Sequence, residues 1–267
     1  MSRRFEVVSR LKTKRISESI AQGKREDGRG LTDFRTIKIA KGILEKAEGS
    51  AEVSVGDTRV VAGVKVEIGN PFSDTPNLAV QTVNSEFTPI ASPAFEPGPP
   101  DELSIEVARI VDRGIRSSNT IDLEKYCIIP GKAVYVMFID IFVLNHAGNL
   151  IDTSALAAIA ALQNTKIQKY ASEGDEVKLL EEQEPLELQD LPIAVTVGKI
   201  VDSLFVDPTV DEEDILGTRL TVTINKDGRI CSLQKNGSEG LTLEEIKKAI
   251  NIAREKTAEI RKLLMES

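Results

Sequence analysis

Apolar positions change their period several times along the chain, and each change marks an element. Over residues 5–22, Val8, Leu11 and Ile20 are spaced among Lys, Arg and Ser, which predicts a moderately amphipathic helix stopped by Gly23. The stretch Arg25-Glu26-Asp27-Gly28-Arg29-Gly30 reads as a turn-rich connection. Strands are predicted at 36–44, 51–55 and 59–66, the last two joined by a Gly56-Asp57 hairpin turn, and again at 77–87. Residues 88–100 hold five prolines and are expected to be an irregular loop. Asp101 then caps a helix running to about Ser118.

Residues 134–144 form a nearly unbroken apolar run, as expected of a central strand buried on both faces. After the break at residues 145–149, Asp152 or Thr153 is expected to cap an Ala-rich helix over 154–163. Residues 178–190 are acidic and apolar only at intervals, and are expected to cross the surface. Further strands are predicted at 193–200, 204–206, 219–225 and 229–234, the last pair turned by Asp227-Gly228. Thr242 and Glu245 form a capping box for a final helix over 242–265, with an apolar stripe of Ile246, Ile250, Ala253, Thr257, Ile260 and Leu264. Strands gathered into hairpins with helices between the groups predict an α+β fold with two related halves. No low-complexity linker divides them, so residues 1–267 are expected to form one domain with a core over about 25–235.

Composition narrows the classes. The mix of 41% hydrophobic and 28% charged residues is that of an ordinary globular protein. Cys127 and Cys231 are far apart and the chain has one histidine, so no Cys/His zinc site can be assembled and a reducing cytoplasm is the expected compartment. No secretory leader or bilayer-spanning run of about 20 apolar residues is expected. A net charge of −8 argues against a free-standing protein that coats nucleic acid.

Candidate chemistry is sparse. On the helix after Asp101, Glu102, Glu106, Arg109, Arg113 and Arg116 share one face, with Leu103, Val107, Ile110 and Val111 toward the other. Acids near the start and bases near the end suit the helix dipole and can brace one another. The same guanidinium stripe could also grip phosphates. Asp211-Glu212-Glu213-Asp214 offers carboxylates for Mg²⁺, but adjacent side chains diverge, and such a run is expected to be solvated. His146 lies in a turn without a nucleophile motif, and no P-loop, GxSxG or HExxH is present.

Several stretches in series resemble the RNase PH family, specifically its exosome branch. They are Arg25-Glu26-Asp27-Gly28-Arg29 with Asp33-Phe34-Arg35, then the run from Gly49 through Thr58, then Ala108-Arg109-Ile110-Val111-Asp112-Arg113-Gly114-Ile115-Arg116, and finally Asp140 through Asn145. The ordered set spans nearly the whole chain.

That resemblance implies an RNase PH fold, related to the second domain of ribosomal protein S5, with two βαβ-containing halves. Active members degrade RNA from its 3′ end by phosphorolysis. They carry Ser or Thr followed by Arg after a Gly, just beyond the central strand, and two aspartates six residues apart further on. Here the first place is Gly148-Asn149-Leu150, and the aspartate positions are Asp214 and Leu220. A leucine can neither hold phosphate nor act as a general acid. The resemblance therefore implies a non-catalytic subunit without cofactor or metal. It would pair with an active relative in a hetero-hexameric ring, a trimer of dimers bearing RNA-binding cap subunits, and would hold single-stranded RNA through Arg109, Arg113 and Arg116. An active phosphorolytic exonuclease and a stand-alone RNA-binding adaptor are the alternatives. Leu150 and Leu220 speak against the first, and the acidic balance with only 4% aromatic residues against the second.

Overall fold

The computed structural model describes residues 10–173 and 176–267. Helix α1 (Arg10–Ala21) comes first; the expected helical residues 5–9, Val8 among them, lie outside the described residues. Ile16 and Ile20 are each 1% exposed, whereas Leu11 is 81% exposed, so the buried stripe runs through the isoleucines and not through Leu11.

The first sheet contains β1 (Ile37–Lys41), β2 (Gly49–Val55), β3 (Thr58–Gly69), β4 (Val80–Phe87), β5 (Cys127–Ile129) and β6 (Ala133–Asn145). Its order is β1-β2-β3-β6-β4, with β5 paired to β6. Gly56-Asp57 closes the β2–β3 hairpin as predicted. Strand β4 runs parallel to β6, which demands a crossover. Helix α2 (Glu102–Ser117) provides it and packs on β4. Strand β6 is not buried on both faces. Tyr135, Met137, Ile139, Ile141 and Val143 are buried, while the residues between them stay partly open and Phe142 is exposed. Helices lie against one face of this sheet, so the apolar run reflects the strand preference of branched and aromatic side chains as well as burial.

Helix α3 (Leu150–Gln163) is buried from Leu150 to Leu162 and packs against β2, β3, β6 and α2. Its alanines have no side-chain bulk to hold neighbours off, which permits that close contact. It starts four residues before the predicted position. Asn149 is the N-cap and makes no side-chain cap bond. Asp152 is not a cap either: Thr196 draws its carboxylate inward.

Residues 178–190 also depart from expectation. Strands β7 (Lys166–Glu173) and β8 (Glu176–Pro185) pair as an antiparallel hairpin, where a surface crossing was predicted. Tyr170 and Leu180 on this hairpin are both exposed, and a hairpin with little to bury shows no clean alternation for a pattern reading to find.

The second sheet comprises β9 (Ile193–Ile200), β10 (Ser203–Val206), β11 (Thr218–Ile224) and β12 (Ile230–Gly237), antiparallel in the order β10-β9-β11-β12. The short helix α4 (Val210–Glu213) lies between β10 and β11. The capping box of Thr242 and Glu245 starts α5 (Leu243–Glu266), which packs on β9 and β11. Residues from both sheets, α2, α3 and α5 share one hydrophobic cluster.

Helix α1 docks on the second sheet, where Ile16 and Ile20 meet Ile200 and Phe205. Arg25 completes the joint. Its side chain is fully buried, pairs with Glu212, donates to the carbonyls of Val206 and Asp207 at 2.8 and 2.7 Å, and lies 5.2 Å over the Phe205 ring. The acidic run is thus not simply solvated: Glu212 is 4% exposed. Removing one partner of a buried pair strands the other charge. Glu212→Ala should therefore destabilise the chain by about 3–5 kcal/mol, read from the denaturant midpoint.

Candidate functional site

Two regions carry the sequence-predicted residues. The first is the exposed face of α2. Asp101 caps this helix by accepting from the Ser104 N–H at 2.7 Å, and Val107, Ile110, Val111 and Ile115 fix its orientation by burial. Arg109, Arg113 and Arg116 consequently stand together in solvent. Their surroundings differ. Arg116 donates to the Asp112 carboxylate at 2.9 and 3.2 Å and to the Gln81 carbonyl at 3.0 Å. Arg113 donates to Oε1 of Gln234 at 2.6 Å. Arg109 has no hydrogen bond or ion pair among the described residues. Glu106 does not brace these arginines. It accepts from Arg219 at 3.1 Å and from the Asn236 amide, tying α2 to the second sheet.

The second region is the start of α3. Gly148 has φ +95°, and a Cβ there would lie 2.3 Å from the Pro208 carbonyl oxygen, so only glycine allows this approach. Asn149 follows in the left-handed region at φ +57°. Its N–H donates to Oε1 of Glu213 at 2.8 Å and its Nδ2 to Asp207 at 3.0 Å. The free N–H groups of a helix start favour an anion, and here the chain supplies its own. Leu150 and Leu220 are 4% and 6% exposed, and both belong to the main core.

Asp207 is the centre of this region. It is fully buried and accepts from Arg29 at 2.6 Å and from Arg35 through its backbone N–H and its guanidinium at 2.7–2.8 Å. Burial would raise its pKa, but the hydrogen bonds and charge of Arg35, with that of Arg29, hold it below the ordinary carboxylate value. Arg35 also donates to the carbonyls of Ala147 and Gly148 at 2.7 and 3.2 Å. Arg29, Arg35, Asp57, His146 and Asp211 line an open cleft of about 720 Å³ beside it. His146 stacks on Phe95, and burial, with Arg35 nearby, lowers its pKa to about 4. It is neutral at pH 7.

The four adjacent carboxylates do not converge. Asp211 pairs with Lys12, Glu212 with Arg25, and Glu213 with the Asn149 N–H. Burial pushes Glu213 up to about 7 despite that hydrogen bond. Asp152 is likewise raised to about 7 by burial, although Thr196 donates to both its oxygens at 2.9 and 2.7 Å. The Arg29 and Arg35 contacts were reachable from the motifs that contain them, and Asn149 from its place in Gly148-Asn149-Leu150, whereas Asp207 and Gln234 carry no sequence signal of their own.

Family models for the 3′ exoribonuclease family match domain 1 over residues 33–168 and domain 2 over residues 190–256. The chain is 49% identical over 264 residues to an exosome complex component Rrp42 of Thermococcus gammatolerans, covering 98% of this chain and 97% of that one. It is 46% identical over 266 residues to the protein of the same name in Methanosarcina acetivorans, covering 100% and 98%. Among solved structures, a chain of the Archaeoglobus fulgidus exosome with RNA bound to the active site superposes with a TM-score of 0.88 at 43% identity, covering 94% of this chain and 97% of that one. A chain of an archaeal exosome core gives 0.84 at 39%, covering 96% of each.

A carboxyl whose folded pKa is raised favours folding while protonated, and that contribution is lost as pH rises through the folded value. Asp152, moved from 3.8 to about 7, should make the chain less stable between pH 4 and pH 7 by on the order of 4 kcal/mol. Glu213 acts in the same direction. Asp152→Asn, which keeps a neutral side chain, should flatten this fall. Urea midpoints at pH 5, 6, 7 and 8 for both proteins provide the check.

Proposed function

The chain belongs to the RNase PH family of 3′ exoribonucleases, and on that premise we propose that it is a non-catalytic exosome subunit. It forms part of a phosphorolytic complex, shapes the active site of a partner and guides RNA toward it. Relatives matching it almost end to end are exosome components, and a structural neighbour at 43% identity belongs to an exosome holding RNA.

The observation that carries the non-catalytic reading is the state of the α3 start. Where active members would hold the attacking phosphate, the Asn149 N–H is already bonded to Glu213, and Leu150 turns into the core. Leu220, in place of the second aspartate, is buried in the same hydrophobic cluster as Leu150 and offers no proton. An external phosphate would have to displace a carboxylate, and it would not find the guanidinium that active members carry at the position of Leu150.

The RNA-guiding role falls to Arg109, Arg113 and Arg116 on the exposed face of α2. A few guanidiniums lining a channel suffice for this, whatever the charge of the outer surface. The partner is an active relative, with which the chain alternates in a ring of three pairs carrying RNA-binding caps. Exposed apolar side chains such as Phe72, Ile90, Ile105 and Phe142 are surface that association would cover. The reducing cytoplasm fits the free thiols of Cys127 and Cys231.

The purified chain, given single-stranded RNA and inorganic phosphate, should release no nucleoside diphosphate, and adding the active relative should produce robust degradation. Turnover by the chain alone at the rate of the mixture would overturn the reading. Light scattering should show a defined hetero-oligomer once the two are mixed; a monomer unchanged by the partner would count against the assembly.

A further inference from the structure

The three arginines of α2 lie on one face but in three electrostatic states. Arg116 faces the Asp112 carboxylate, so its charge is largely compensated within the chain. Arg109 has no partner among the described residues. Arg113 is held by a neutral group from another element, the Gln234 amide oxygen on β12, at 2.6 Å. That choice of acceptor has a consequence. A carboxylate at position 234 would fix the guanidinium but cancel its charge, and an apolar side chain would leave the charge but free the rotamers. The amide fixes the direction and leaves the charge intact.

The platform under this contact is itself fastened. Residues two apart on a strand share a face, which places Ser232, Gln234 and Asn236 together on β12. Asn236 and Arg219 both bind Glu106 of α2, so helix and strand are tied two turns from Arg113. Gln234 therefore meets Arg113 at a set distance and not by chance encounter of two surface side chains.

We propose that Gln234 is a positioning residue for RNA: it pre-orients the uncompensated Arg113 guanidinium toward a backbone phosphate. This rests on the reading that Arg113 contacts RNA. An arginine ordered before binding loses less rotamer freedom when the phosphate arrives. Arg116, by contrast, already spends its donors on Asp112 and Gln81 and contributes least.

The test uses the ring assembled with the active partner, checked by light scattering, and a single-stranded RNA whose dissociation constant is measured against salt. Arg113→Ala should flatten the salt dependence by about 0.7 in log–log slope, one phosphate contact on a single strand. Gln234→Glu should flatten it equally, because the new carboxylate neutralises Arg113. Gln234→Ala should leave the slope unchanged and weaken binding about 2- to 10-fold, the cost of ordering one long side chain. In an Arg113→Ala background, Gln234→Ala should have no further effect. If Arg113→Ala binds like wild type, the RNA role of that arginine falls and the proposal with it. If Arg113→Ala weakens binding while both Gln234 variants match wild type, the RNA role stands and the positioning role is overturned. An added loss from Gln234→Ala in the Arg113→Ala background also overturns it, since Gln234 would then act independently of Arg113.

Discussion

The buried carboxylate of Asp207 is the point on which the two halves of the molecule are registered. It receives Arg29 and Arg35 from the segment before the first sheet and Asn149 from the start of α3, while itself sitting at the end of the second sheet. A charge removed from water is tolerated only when its acceptor sites are filled, so these three segments must converge for any of them to be in place. The constraint propagates outward. With Arg35 anchored, its guanidinium also fixes the carbonyls of Ala147 and Gly148, which sets the start of α3, and α3 is the helix against which the first sheet closes.

The fold was legible wherever local chemistry and tertiary demand agreed. The Gly56-Asp57 hairpin, the Asp101 cap and the Thr242/Glu245 box each satisfy their own backbone groups, so short sequence windows suffice to find them. The start of α3 was not legible, because Asp152 has the side chain of a cap and is used instead as a buried partner of Thr196. The β7–β8 hairpin escaped because it has little apolar surface to bury. The arginine face could be read from spacing alone, but its division into compensated, held and unpartnered guanidiniums could not. That depends on Gln81, Gln234 and Asp112, two of which come from other strands.

Charge at the level of the whole chain and charge at the site are separate quantities here. The net −8 describes a surface that repels bulk nucleic acid. Several acids, however, are consumed internally: Asp207, Glu212, Glu213 and Glu106 all face donors of the same chain. What remains exposed on α2 is locally basic, and a field confined to one face can act on RNA only over roughly a Debye length, about 8 Å in physiological salt. Such a face suits RNA already delivered to it better than RNA recruited from solution.

The close approach of Gly148 to Pro208 bears on which substitutions the start of α3 accepts. A Cβ at position 148 would lie 2.3 Å from the Pro208 carbonyl oxygen, so this turn stays glycine whatever residue follows it. The Glu213 carboxylate also holds the Asn149 N–H. Remodelling this helix start would need coordinated change in two distant stretches of chain, each tied into the Asp207 junction that holds the halves together. The residues gathered around the start of α3 are in this sense part of what keeps the protein folded.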